Sequence, residues 1–166
     1  MTDSCIITDD LAQSFADSTV SVLWKMAEMK CVCSGRREMN DDSQHSDVVD
    51  CLDITAIIGF SGRRRGSVIM SMTNEIAQQA VGGMLGVDFE EINSDVCDGV
   101  GELVNVIAGS AKTKLQVMDI DFDLSIPNTV VGQNHQIKVS SGARSTHFDF
   151  ATSAGAFFIE VYLRGN

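Results

Sequence analysis

The stretch DVCDGVGELVNVIAGSAKTKL, residues 95–115, decides how the rest of the chain is read. Val96, Val100, Leu103, Val104, Ile107, Ala111 and Leu115 step by three or four residues, the period of one buried helix face. The polar residues are equally ordered: Asp98, Glu102, Asn105 and Lys112 fall on one stripe, with Gly109 in the gap. Spacings of three and four keep Glu102 and Asn105 neighbours on that stripe. Gly99, Gly101 and Gly109 each cost ~1 kcal/mol relative to alanine in a helix, so some benefit must offset the loss. A bare helix surface lets another backbone come close. On spacing alone, tight packing within the domain and a solvated polar face account for these residues better than a site does.

Working outward, apolar residues at Leu11, Phe15, Val22, Met26 and Met29 predict a first long helix from Leu11 to Met29, with Asp9 or Asp10 able to cap it. Gly35 to Ser46, holding Arg36, Arg37, Glu38, Asp41 and Asp42, has no apolar period and reads as a loop. Ile54 to Phe60 and Ser67 to Met72 are β-branched runs separated by SGRRRG, the pattern of a hairpin. Thr73 can cap a helix through Ile76, Ala80 and Met84 that Gly86 ends. Alternation then predicts strands in Gln116 to Ile126, Gln136 to Ser140, Thr146 to Phe150 and Ala156 to Leu163. Their connections are too short for crossovers, so they pair mostly antiparallel. The order helix, strands, two helices, strands gives one α+β domain over residues 1–166, a mostly antiparallel sheet packed by long helices.

Composition bounds the function. Over 166 residues, 12 Lys+Arg against 23 Asp+Glu give a formal net charge of -11, a field that repels nucleic-acid phosphates and anionic membrane surfaces. Neither a secretory leader nor an apolar run of ~18 residues is seen, so a cytoplasmic protein is expected. The five cysteines read as free thiols of a reducing compartment. Cys31, Cys33, His45 and Cys51 could form a zinc set, but Cys-x-Cys thiols on a strand are more often core. Asp119-Ile120-Asp121-Phe122-Asp123 imitates a calcium loop, yet Leu124 stands where glycine is needed and Val130 where glutamate is, so it reads as a strand with one wet face. His135 and His147 lack partner spacing and read as structural, and Arg63-Arg64-Arg65 as a solvated turn.

The run from Asp98 to Lys112 resembles the signature helix of the CheC/CheX/FliY phosphatases of bacterial chemotaxis, whose motif is Glu-x-x-Asn followed by small residues. Ile58-Gly59-Phe60-Ser61-Gly62, Gly66-Ser67-Val68, Met84-Leu85-Gly86 and Ser125-Ile126-Pro127 extend the resemblance over nearly the whole chain. CheC-type members carry two motifs and CheX-type members one. Here the first helix offers Asp17-Ser18-Thr19-Val20, without an asparagine, which favours CheX. The triple arginine Arg63 to Arg65, the cysteine-rich segment from Cys31 to Cys51, and Val106 in place of a common methionine depart from the family's usual look.

The resemblance implies dephosphorylation of a CheY-like response regulator that carries phosphate on an aspartate and holds its own magnesium and activating lysine. The phosphatase then needs no cofactor of its own. Asn105 would orient the attacking water, because a carboxamide both donates and accepts hydrogen bonds and brings no charge to repel the phosphoryl group. Glu102 would dock a cation of the partner, and Asp98, Gly101, Gly109 and Lys112 would line the contact. A silent adaptor that binds a regulator or motor component through the same face is the alternative. The family also implies a homodimer with joined sheets, for which Ala156 to Leu163 is the expected edge strand; the alternative is that this strand lies inside the sheet of a monomer, since its alternation is the same in both places.

Overall fold

The structure, a computed structural model, describes residues 2–39, 47–139 and 143–164, with side chains from residue 9 onward. Twelve elements follow in chain order: α1 (Thr2–Ala27), β1 (Cys31–Met39), β2 (Val48–Asp50), β3 (Ile54–Gly62), β4 (Gly66–Met72), α2 (Asn74–Leu85), α3 (Ser94–Gln116), β5 (Phe122–Leu124), β6 (Asn128–Val131), β7 (Gln136–Lys138), β8 (Arg144–Thr152) and β9 (Gly155–Leu163). The seven-stranded sheet runs β1-β8-β9-β4-β3-β5, with β6 also on β3, and every pairing is antiparallel. β2 and β7 make a separate two-stranded sheet.

Strand alternation sorts side chains to two cores. On one face Ile54, Ala56, Ile58, Val68, Met70, Phe148, Phe150 and Ile159 meet the buried faces of the three helices. Phe15 of α1 stacks on Phe60 and Phe122, with ring centroids 5.8 and 6.3 Å away, tying helix to sheet. On the other face Val49, Cys51, Ile69, Ala143 and Tyr162 form a small core under the β2–β7 ribbon. Thr73 caps α2 by accepting from the Ile76 N–H, and Gly86 ends it in the left-handed conformation that glycine adopts without penalty.

Several expectations are corrected. α1 starts at Thr2, so Asp9 and Asp10 are not caps, and it stops at Ala27, where Glu28 turns left-handed and leaves Met29 outside. Arg36, Arg37 and Glu38 lie on β1, not in a loop; residues 40–46 of that expected loop lie outside the described residues. Arg36 reaches across to Asp9 and Gln13 of α1, pairs with Glu38 and lies over the Phe148 ring, so contacts made at long range turned a polar run into a strand. The predicted strand 116–126 shrinks to β5, because α3 runs on to Gln116 and Asp119 takes a left-handed turn. Most consequentially, β9 pairs with β4 on one side and β8 on the other. The expected edge strand is central, and the sheet's edges are β1 at one end and β5 with β6 at the other.

Candidate functional site

The site is built from α3 upward. Asn93 caps the helix by accepting from the Val96 N–H at 3.0 Å. Val96, Val100, Leu103, Val104, Ile107, Ala108, Ala111 and Leu115 are buried as the apolar period requires. The opposite stripe is left facing outward: Asp98 and Glu102 exposed, Asn105, Gly109 and Lys112 half-buried. Glu102 and Asn105 are separated by roughly 4.5 Å of helix rise and lie on one side of the helix. Among the described residues neither side chain takes a hydrogen bond or ion pair, so carboxylate and carboxamide are both available to a partner.

The glycines divide by what surrounds them. A Cβ at Gly99 would stand 2.5 Å from a Val81 methyl, so this glycine seats α3 on α2. Gly101 is buried, with Thr129 Oγ 3.3 Å and Pro127 Cγ 3.8 Å from where its Cβ would be; it packs against the chain entering β6 and does not line the outward contact that the resemblance implied for it. Around Gly109 nothing lies within 4 Å of a Cβ, leaving bare backbone open to an approaching surface. Lys112 turns to Asp121 and Asp123, at 3.5 and 4.0 Å. The hydrogen bond from Gln116 and the nearby Lys112 ammonium hold the Asp121 carboxyl below its ordinary range. The acidic run that mimicked a calcium loop thus neutralises Lys112.

The zinc set, weighed against a core reading of its cysteines, is not assembled among the described residues. Cys31 lies in the helical core and Cys51 in the small core on the sheet's opposite face, while His45 is outside the described residues. Burial pushes the Cys31 thiol up to about 11 and raises that of Cys51, which disfavours the thiolates a metal would take. His135 is structural: its ring lies 2.6 Å from the Gly132 carbonyl and 2.8 Å from the Thr55 hydroxyl.

A second polar cluster, not foreseen from sequence, sits on the far face. Glu160, 5% exposed, accepts from Ser145 Oγ at 2.8 Å, Tyr162 OH at 2.7 Å and His147 Nδ1 at 3.2 Å. His147 Nε2 donates to Asp149 at 3.1 Å, and Arg37 reaches the other oxygen of Asp149 at 3.5 Å. Burial alone would depress the His147 pKa, but two carboxylates, one on each ring nitrogen, raise it. Burial would raise that of Glu160; the hydrogen bonds it accepts from His147, Tyr162 and Ser145 lower it instead. Only the register His147↔Glu160 and Ser145↔Tyr162 brings these residues together, and sequence spacing does not contain it.

With the geometry in place, comparisons with known proteins agree on one relationship. Residues 54–151, more than half the chain, match the family profile described as chemotaxis phosphatase CheX. The CheY-P phosphatase CheX of Thermotoga maritima is 30% identical over 86 residues, a match that covers 51% of this chain and 56% of that protein. The alignment therefore spans little more than half the length of that relative. Chemotaxis protein CheX from Desulfovibrio desulfuricans superposes with a TM-score of 0.82 at 28% identity, covering 93% of this chain and 99% of that one. The CheX of Borrelia burgdorferi, solved with CheY, BeF3 and magnesium, superposes at 0.69 over 92% of this chain and 97% of its own; at 19% identity the likeness is one of fold.

Proposed function

Because the chain belongs to the CheX chemotaxis phosphatase family, we propose that it hydrolyses the phospho-aspartate of a CheY-like response regulator, using the outward stripe of α3. The observation that carries the reading is the Glu102 and Asn105 pair, three residues apart, outward and without partners among the described residues. Phosphoryl transfer passes through a loose, in-line transition state, so an auxiliary protein accelerates it chiefly by positioning. The Asn105 carboxamide orients a water opposite the aspartyl oxygen. Water's oxygen bonds to phosphorus as the aspartyl O–P bond breaks, the carboxylate is regenerated unprotonated, and the phosphate leaves as dihydrogen phosphate carrying both of the water's protons. Glu102 pairs with a cation of the receiver and fixes the register of the helix, while bare Gly109 admits the receiver's backbone. Magnesium and the activating lysine belong to the receiver. Such a receiver places the reaction in the cytoplasm. No helix among the described residues is long and apolar enough to cross a membrane.

A homodimer with joined sheets is also proposed, through β1 and no longer through β9. β1 pairs only with β8 among the described residues and presents Val32, 63% exposed, along its length, the kind of edge that a second copy closes by symmetry. Phosphate release from each phosphorylated receiver of the same cell, with and without the protein, tests the enzymatic reading. Acceleration of one receiver supports it. No acceleration of any receiver, with binding retained, leaves the silent adaptor.

A further inference from the structure

The connection from β5 to β6 is pinned on both sides of one exposed apolar residue. Before it, the Ser125 N–H donates to the Gly59 carbonyl at 2.9 Å, and the Ser125 hydroxyl accepts from the Gly59 N–H at 2.8 Å and donates to the Ile126 carbonyl at 3.2 Å. After it, Pro127 sits over Gly101, and Thr129 Oγ donates to the Cys97 carbonyl at 3.3 Å. Ile126 between them is 85% exposed. Beyond it, Val131, 52% exposed, lies on the same side of β6 as Thr129, and β6 pairs only with β3 among the described residues. A lone exposed aliphatic residue is ordinary on any surface. This one is held rigidly to the motif helix: Pro127 and Thr129 bear on Gly101, Glu102 follows Gly101 directly, and Asn105 stands one turn beyond it. A fixed apolar knob gives up little freedom when it docks.

We propose that Ile126 is the apolar docking contact for the phosphorylated receiver, meeting aliphatic surface next to the phospho-aspartate while Glu102 and Asn105 reach the charged centre. The inference rests on the phosphatase reading above and adds to it a contact of different chemistry. Glu102 acts through charge and weakens as salt screens it, whereas burial of Ile126 does not depend on screening.

The test uses the full chain with whichever receiver it accelerates, measuring the half-saturating receiver concentration and the saturated rate at low and high salt. Ile126→Ser is expected to raise the half-saturating concentration on the order of 10-fold at both salts and to leave the saturated rate unchanged, with Ile126→Leu restoring it. Such a highly exposed position carries little of the fold's stability, and an unchanged melting temperature verifies that. A half-saturating concentration equal to that of the unsubstituted chain overturns the docking assignment while the phosphatase reading stands. A saturated rate that falls with no change in half-saturation overturns it as well. If the unsubstituted chain accelerates no receiver, the phosphatase reading itself falls, and this inference with it.

Discussion

Gly99 and Gly109 lie ten residues apart on one helix and should respond to alanine in opposite directions. An added methyl at Gly99 would stand 2.5 and 2.7 Å from the two Val81 methyls and 3.1 Å from Val81 Cβ, where carbon atoms settle at roughly 3.5–4.0 Å. Val81 is fully buried, so it has nowhere to go. Overpacking of this kind costs about 1–3 kcal/mol, and an overlap near 1 Å with three atoms belongs at the upper end. Helix propensity returns about 1 kcal/mol, leaving Gly99→Ala destabilised by about 2 kcal/mol. At about 2–4 °C per kcal/mol for a chain of this size, the melting temperature falls by about 4–8 °C. Gly109→Ala meets nothing within 4 Å and keeps the propensity gain, so it stabilises the free protein by up to about 1 kcal/mol. It should also slow receiver dephosphorylation, because the methyl occupies the surface a partner must approach. Urea unfolding of both variants, with Val81→Ala alone and combined with Gly99→Ala, gives the numbers. Val81→Ala alone costs about 2 kcal/mol, and the methyl that Gly99→Ala adds then fills the vacated space, so the pair should be no worse than Val81→Ala by itself. Strict additivity in that cycle, or a Gly99→Ala protein as stable as the parent, would refute the account of how α3 seats on α2.

The far-face cluster sets a pH dependence. The raised pKa of His147 means its contribution is complete below its ordinary value of 6.5 and is lost as pH rises through the folded value above that; Glu160, with a lowered pKa, contributes above 4.5 and loses its share in acid. The stability difference between the parent and His147→Asn, from urea midpoints, should therefore be largest between about pH 5 and 6.5 and shrink toward pH 8; a difference that grows with pH contradicts the paired imidazolium. Glu102→Gln should raise the half-saturating receiver concentration by about 10-fold at low salt, fading at high salt, with a smaller effect on the saturated rate; equal loss of both terms counts against docking by charge.

What the sequence carried was local. The period of residues 95–115 fixed which side of α3 is buried, and Thr73 and Gly86 marked both ends of α2 because caps act within a turn. Edges and registers are long-range, and there the reading failed. The alternation of Phe157, Ile159, Val161 and Leu163 is the same whether a strand is central or outermost, so β9 passed for an edge. Arg36, Arg37 and Glu38 gave no apolar signal because β1 has one strand neighbour among the described residues and draws its support from Asp9, Gln13 and Phe148, far away in sequence. On α3, the outward placement of Glu102 and Asn105 was legible from spacing, while the role given to them comes from the resemblance. Gly101 was misplaced, since only the path of Pro127 and Thr129 over α3 reveals that it is covered. The same path, invisible in the sequence, holds Ile126 next to Pro127, which packs on Gly101 of α3.

The central claim is that the Asn105 carboxamide positions the water. The most direct measurement is the saturated rate of phosphate release from the phosphorylated receiver with Asn105→Ala, alongside binding of the variant to the beryllofluoride-activated receiver and its unfolding midpoint. The half-buried side chain, without a partner among the described residues, should leave folding and binding close to those of the parent while stimulated hydrolysis falls by about 100-fold or more, the range for removing one positioned transition-state contact. A variant that binds and folds like the parent and still hydrolyses at near-parental rate would contradict the account.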